Sequence, residues 1–290
     1  MKRTFTLILL AILMVAPLGA KDKIPKNEKV KNVILIIGDG MGLGATAFWM
    51  VNQNFGPTCF DRAQYTAVVK TYSANSRTTD SAAASTAIAT GHKTNNGMLG
   101  MLPDGVKPSS IAKLAKDNGL STGIIVTSYV LDATPGGFYA HAASRNDSKQ
   151  IAEDLIAFRP DVIMGGGRKY FTERKYTDEN LIDKAKSAGF NYVETPEDFY
   201  ATQVTPVLGL LDESAQVDAT ETDSDLLTEL AEHTWEILEK NKKGFFTLVE
   251  GSLIDHAAHA NNTEEVLWWM EEIDNVINAA FDYADTHKGT

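Results

Sequence analysis

The 290-residue sequence predicts an α/β fold: a doubly wound, mostly parallel sheet flanked by helices on both faces. Three observations point to it. Short, continuous apolar runs rich in β-branched residues recur along the chain. Stretches with helical periodicity separate them. The polar clusters able to carry chemistry fall directly after the apolar runs, where ligands bind in open parallel sheets.

Residues 1–20 stand outside that fold. Lys2 and Arg3 precede an apolar run over 5–15, broken only by Thr6, and Leu18-Gly19-Ala20 leads into polar Lys21-Asp22-Lys23. This is the layout of a secretory signal peptide cleaved near Ala20. The run is well short of the roughly 20 residues that span a bilayer, and no later segment is long and apolar enough. The expectation is a secreted or periplasmic protein without membrane attachment after cleavage.

From Val33 onward the elements alternate. Strands are expected at 33–37, 121–127, 161–164, 205–211 and 244–249. Helices are expected at 81–90 and 109–118, each followed by a glycine suited to a helix C-terminus, and at 223–240 and 266–284. The last carries Trp269, Met270, Ile273, Val276, Ile277 and Phe281 on one stripe, which marks a core face.

With 43% hydrophobic and 22% charged residues, the chain can bury a core without a covalent staple. Losing Lys2 and Arg3 with the leader takes the net charge from −11 to −13. Such a surface repels nucleic acid and anionic membranes. An anionic substrate would therefore need a local positive centre, from bound cations or an arginine. Cys59 is the sole cysteine, which excludes an internal disulfide and a Cys-based zinc site; it reads as a small buried hydrophobe.

Four clusters carry the candidate chemistry. Gly38-Asp39-Gly40-Met41-Gly42 follows the first strand, where a carboxylate can reach into the crevice as a metal ligand; an ordinary Asp-Gly turn is the plain alternative. Gly40-x-Gly42-x-x-Ala45 also fits a relaxed dinucleotide fingerprint. Against that, Asp39 would face the pyrophosphate, and no acidic residue ends a second strand about 20 residues on.

The second cluster, Thr78-Thr79-Asp80-Ser81-Ala82-Ala83-Ala84-Ser85, opens a helix of small residues. Backbone N–H groups at a helix N-terminus favour an alkoxide or a bound phosphate. An N-cap by Asp80 or Ser81 explains the same residues. Third, Asp132 and Thr134 are read as alternating on one side of an extended segment and offer hard oxygen donors, while Arg145 offers a planar fork for phosphate oxygens or, equally, is a solvated arginine at a helix start. His141 reads as structural. The fourth cluster runs from Glu250 through Asp255 and His256 to His259, with Asp255 and His259 one helical turn apart. An oxygen–nitrogen pair of that kind suits zinc. His92, His233 and His287 read as surface residues.

In order, the segments VILIIGDGMG, TTDSAAASTAIATG, LDATPGGFYAHAASR and FFTLVEGSLIDHAAHANN resemble the alkaline phosphatase family along nearly the whole of residues 21–290. The resemblance implies an alkaline-phosphatase-like catalytic domain that hydrolyses small phosphate monoesters. It implies that Ser81 becomes phosphorylated, that Arg145 clamps phosphate, and that Asp80 and His256 lie next to it. Asp39 would bridge one zinc and a magnesium; Thr134 and Glu250 would complete the magnesium ligands, with Asp132 holding its waters. Asp255 and His259 would bind a second zinc. A homodimer is implied as well. The family pattern continues with a further Asp-His strand and another zinc-binding histidine, so this chain is expected to be C-terminally truncated. It would lack the C-terminal strands, leave both zinc sets short of ligands, and turn over weakly or not at all. The alternatives are a secreted phosphate- or metal-binding protein without turnover and a related metal-dependent phosphoryl hydrolase. A sulfatase is disfavoured, since Cys59 lacks the context of that chemistry.

Overall fold

The computed structural model of the chain describes residues 29–54, 56–214 and 225–290. The signal peptide expected over 1–20 lies outside the described residues, as do the first two positions of the helix expected at 223–240.

The elements run β1 (Val33–Gly38), α1 (Leu43–Asn52), a 3₁₀ turn (Cys59–Arg62), α2 (Ser81–Thr90), α3 (Ile111–Asp117), β2 (Ser121–Tyr129), α4 (Ala133–Tyr139) and α5 (Ser148–Phe158). They continue with β3 (Val162–Gly166), α6 (Lys169–Thr172), α7 (Leu181–Ser187), β4 (Asn191–Val193), α8 (Pro196–Tyr200), β5 (Val207–Leu210), α9 (Leu226–Leu238), β6 (Phe245–Gly251), α10 (Leu253–His259) and α11 (Thr263–Thr286). The six strands form one sheet in the order β1-β6-β2-β3-β5-β4, every pair parallel.

Alternation along the strands explains the two helical layers. Ile124, Phe246 and Leu248 face a core shared with α2 to α5 and α7, whereas Ile125, Phe245 and Val249 face a second core under α1, α9, α10 and α11. Both faces are therefore covered, and the strands read as unbroken apolar runs for that reason. All five expected strands are present. β4, only three residues long at the sheet edge, had no run to announce it.

Two expectations need correction. The segment after Asp132 is not extended: it is α4, which contains Pro135, Gly136 and Gly137 and is buried throughout. Pro135 sits in the first turn, where its missing N–H leaves no bond unmade. The paired glycines let α4 press against α2; a Cβ on Gly137 would meet Ser85 Oγ at 2.3 Å. Packing thus overrides propensity. His233 is not on the surface either. Its side chain is 12% exposed and stands edge-on to Phe199, because α9 packs that face against α8. Cys59 is fully buried, as expected.

Candidate active site

Neighbouring strands deliver the site. β1 leads into Asp39, β6 ends in Glu250-Gly251, and β2 leads into Asp132, so three carboxylates meet at the carboxyl edge of three adjacent strands. The turn after β1 lies hard against α10. Gly40 has φ +70°, and a Cβ there would meet the Asp255 backbone at 2.7 Å. Only glycine serves at that position.

A cleft of about 640 Å³ opens over these ends. It is lined by Asp39, Asp80, Ser81, Asp132, Arg145, Asp255, His256 and His259, together with Met41, Gly42, Thr71, Thr79 and Ala84. Eight of the ten predicted site residues therefore share one cavity wall, and Thr134 and Glu250 lie buried beneath it.

Ser81 is the first residue of α2. Its Oγ donates a 2.7 Å hydrogen bond to Asp39 Oδ2. Asp80 caps the helix by accepting from the Ala83 N–H (2.9 Å), and its other oxygen accepts from the Gly97 N–H (2.8 Å). Arg145 reaches both flanking carboxylates, with Nη2 3.1 Å from Asp132 Oδ1 and Nη1 3.6 Å from Asp80 Oδ2. Burial works against the guanidinium's charge, but Asp132 and Asp80 outweigh it and hold its pKa above the ordinary value.

Asp132 caps α4, accepting from the Ala133 N–H, and Thr134 lies in the helix's first turn. Asp255 and His259 share α10, with His259 Nε2 3.4 Å from Asp255 Oδ2. His259 is exposed at the cleft rim and His256 is half-buried.

Glu250 is the outlier. It is 0% exposed, and neither carboxyl oxygen has a hydrogen bond of normal geometry among the described residues. Burial, then the charges of Asp132 and Asp39, push its pKa well above the usual carboxylate range; the nearby hydroxyls of Thr134 and Ser252 only temper that rise. Burial likewise raises Asp39, against the pull of the Ser81 hydrogen bond, and Asp255 and Asp132 add to the rise. A buried, unpaired carboxylate beside two others is a place that a cation would stabilise. The donor chemistry (carboxylates with the Thr134 hydroxyl) suits a hard divalent ion. Among the described residues no three His, Cys, Asp or Glu side chains form a group able to hold a metal ion. The expected sets are no larger: each has at most two such groups as direct ligands, with a hydroxyl from Thr134 in the magnesium set and from Ser81 in the first zinc set.

A family model described as alkaline phosphatase matches residues 30–290. The chain belongs to the alkaline phosphatase family. Alkaline phosphatases 4 and 3 of Bacillus subtilis (strain 168) are each 35% identical to it, over 93% and 94% of this chain and 62% of their own length. The chain thus spans less than two thirds of those relatives. The solved alkaline phosphatase of the Antarctic bacterium TAB5 superposes with a TM-score of 0.84 at 31% identity, covering 89% of this chain and 76% of that one. A variant of the TAB5 enzyme with magnesium bound in its M3 site gives 0.83 at 30% identity, covering 89% and 75%. Family membership displaces the dinucleotide reading of Gly40 and Gly42.

Sequence reasoning missed Ser85, Asn96 and Gly97. Ser85 Oγ donates to the Ala133 carbonyl (2.9 Å) and so fastens α2, which begins at Ser81, to the start of α4. Asn-Gly is a turn-forming pair, but nothing in the sequence says what the turn at Asn96-Gly97 holds.

Proposed function

We propose that this chain forms the nucleophile- and phosphate-binding part of an enzyme that hydrolyses small phosphate monoesters through a phosphoserine at Ser81. The observation that carries the reading is the 2.7 Å bond from Ser81 Oγ to Asp39 Oδ2, made at a helix N-terminus in the cleft that Arg145 also lines.

Ser81 Oγ, its proton directed at Asp39, keeps its lone pairs free for phosphorus. Attack would form the Oγ–P bond as the Oγ proton passes to Asp39, and would expel the alcohol oxygen with its electron pair, to be protonated by water. Attack by a second water would break the Oγ–P bond and return its electron pair to Oγ, which takes its proton back from Asp39; the attacking water's proton neutralises the hydroxide left by the first step, and inorganic phosphate leaves. The first N–H groups of α2 and the Arg145 guanidinium offset charge on the non-bridging oxygens. Asp80 and Asp132 hold the guanidinium in place between turnovers.

By the family resemblance, Asp39 with Ser81 would hold one zinc and Asp255 with His259 another. Asp39, Thr134 and Glu250 would hold magnesium, with Asp132 on its waters. Such ions, when bound, stabilise the entering and leaving oxygens of an in-line displacement. The same reading makes residues 1–20 an export signal, 21–290 the catalytic unit, and a second copy the partner. Exposed Leu43, Val51, Tyr65, Val68 and Val69 offer apolar surface for that partner.

A second reading, phosphate or metal binding without turnover, rests on the same cleft, with Arg145 to hold an anion and buried Glu250 beneath it, unpaired among the described residues, to meet a cation. Hydrolysis of 4-nitrophenyl phosphate at mildly alkaline pH with zinc and magnesium separates the two. The enzyme reading requires turnover above a Ser81→Ala baseline. Equal rates, with inorganic phosphate affinity kept in both proteins, favour the binder.

A further inference from the structure

The nucleophile and the guanidinium come from segments 64 residues apart, and one turn touches both. Gly97 donates its N–H to Asp80 Oδ2 at 2.8 Å, and its carbonyl accepts from the Arg145 N–H at 2.7 Å. The preceding residue grips the approach to Ser81 from both sides: Asn96 Oδ1 accepts from the Asp80 N–H (3.3 Å), and Nδ2 donates to the Thr78 carbonyl (3.0 Å).

The turn is itself anchored at both ends. Leu99 and Ala142 exchange paired 2.9 Å backbone bonds, which fixes the segment leading to Arg145. Thr86 of α2 donates from Oγ1 to the Met98 carbonyl (3.3 Å) and accepts from the Gly100 N–H (2.9 Å). The turn therefore cannot drift from α2 without breaking bonds to the Arg145 segment, nor the reverse.

From this geometry we propose that the Asn96-Gly97 turn is a positioning element: it sets the distance between Ser81 and the Arg145 guanidinium, and Asn96 is its positioning residue. Asn96 lines no part of the cleft and touches neither reacting group, so it acts through Asp80 and the Arg145 backbone. The inference rests on the phosphatase reading for its catalytic consequence but on the hydrogen bonds alone for its structural one.

Two measurements on the full chain keep these apart. Amide hydrogen exchange of Asn96→Ala should show faster exchange at Asp80, Gly97 and Arg145, with the strand amides of β2 and β6 unchanged. In the 4-nitrophenyl phosphate assay with zinc and magnesium, the same variant should lose about ten- to a hundredfold in kcat/KM, the scale of a misplacement near 1 Å. Asn96→Asp keeps an acceptor for the Asp80 N–H and should recover part of that loss. The comparison variant is Asn95→Ala, whose native side chain makes no hydrogen bond among the described residues. Unchanged exchange at Gly97 and Arg145, or a loss no larger than that of Asn95→Ala, would overturn the proposal. A wild type no faster than Ser81→Ala would sink the phosphatase reading, and the exchange measurement would then decide the positioning claim by itself.

Discussion

Glu250 sits where a carboxylate is least stable, with no exposed surface and, among the described residues, no normal hydrogen bond to either oxygen. Its raised pKa gives a sign to the pH dependence. A carboxyl whose folded pKa is raised favours the fold below its ordinary range, and that contribution is lost as pH rises toward the folded value. Without metal, Glu250→Gln should therefore be more stable than wild type at pH 8, by about 1–3 kcal/mol, the cost of an unpaired buried polar group. Added magnesium should reverse the order by stabilising only the wild type, since a ligand bound to the folded state alone raises stability by mass action. Thermal unfolding with chelator and then with magnesium checks both. Equal responses in the two proteins would show that Glu250 does not meet the cation.

Helices α2 and α4 illustrate how an element acts on the site. Ser85 bonds the Ala133 carbonyl, and the helices approach so closely that Gly137 admits no side chain. Gly137→Ala should destabilise by about 1–3 kcal/mol through overpacking, visible as a lower Tm. It should also lower turnover by displacing Ser81 from Asp132; an unchanged Tm would mean the helices can part freely. The α9–α11 contact carries a different signal. Glu272 on α11 is buried, one carboxyl oxygen has no partner, and desolvation lifts its pKa to about 8, opposed only by a hydrogen bond from the Leu227 N–H. Stability should fall as pH rises from the ordinary glutamate range through about 8. Glu272→Gln should remove that fall, gaining on the order of 2–4 kcal/mol at pH 9 and little at pH 5. Parallel denaturation curves for the two proteins would refute it.

For the whole molecule, legibility followed burial. Val33–Gly38 and Phe245–Gly251 were plain in the sequence because strands covered on both faces are apolar without interruption. α2 was plain from its cap and terminal glycine. α4 was not: with Pro135, Gly136 and Gly137 in it the segment was expected to be extended, and contact with α2 makes it helical. The candidate residues were nameable from their positions after strands or at a helix start, and from the family resemblance. Asp255 and His259 meet at one helical turn, as their spacing implies. What holds Asp80 and Arg145 was not nameable: Gly97 acts through its backbone N–H and carbonyl, and the Asn96 side chain bonds the backbone of Asp80 and Thr78, pairings that spacing does not announce. Nor could spacing reveal that Asp80 and Asp132 would both hold Arg145, since that depends on how α2 and the end of β2 are brought together.

On the proposed reading, Ser81 Oγ is the atom that receives phosphate. The most direct test is acid quenching of the protein after incubation with a phosphate monoester, zinc and magnesium, followed by mass-spectrometric mapping of the modified residue. Phosphoserine at Ser81, absent from Ser81→Ala, is the result expected. Phosphate release without modification at Ser81, or modification at another residue, would contradict the account.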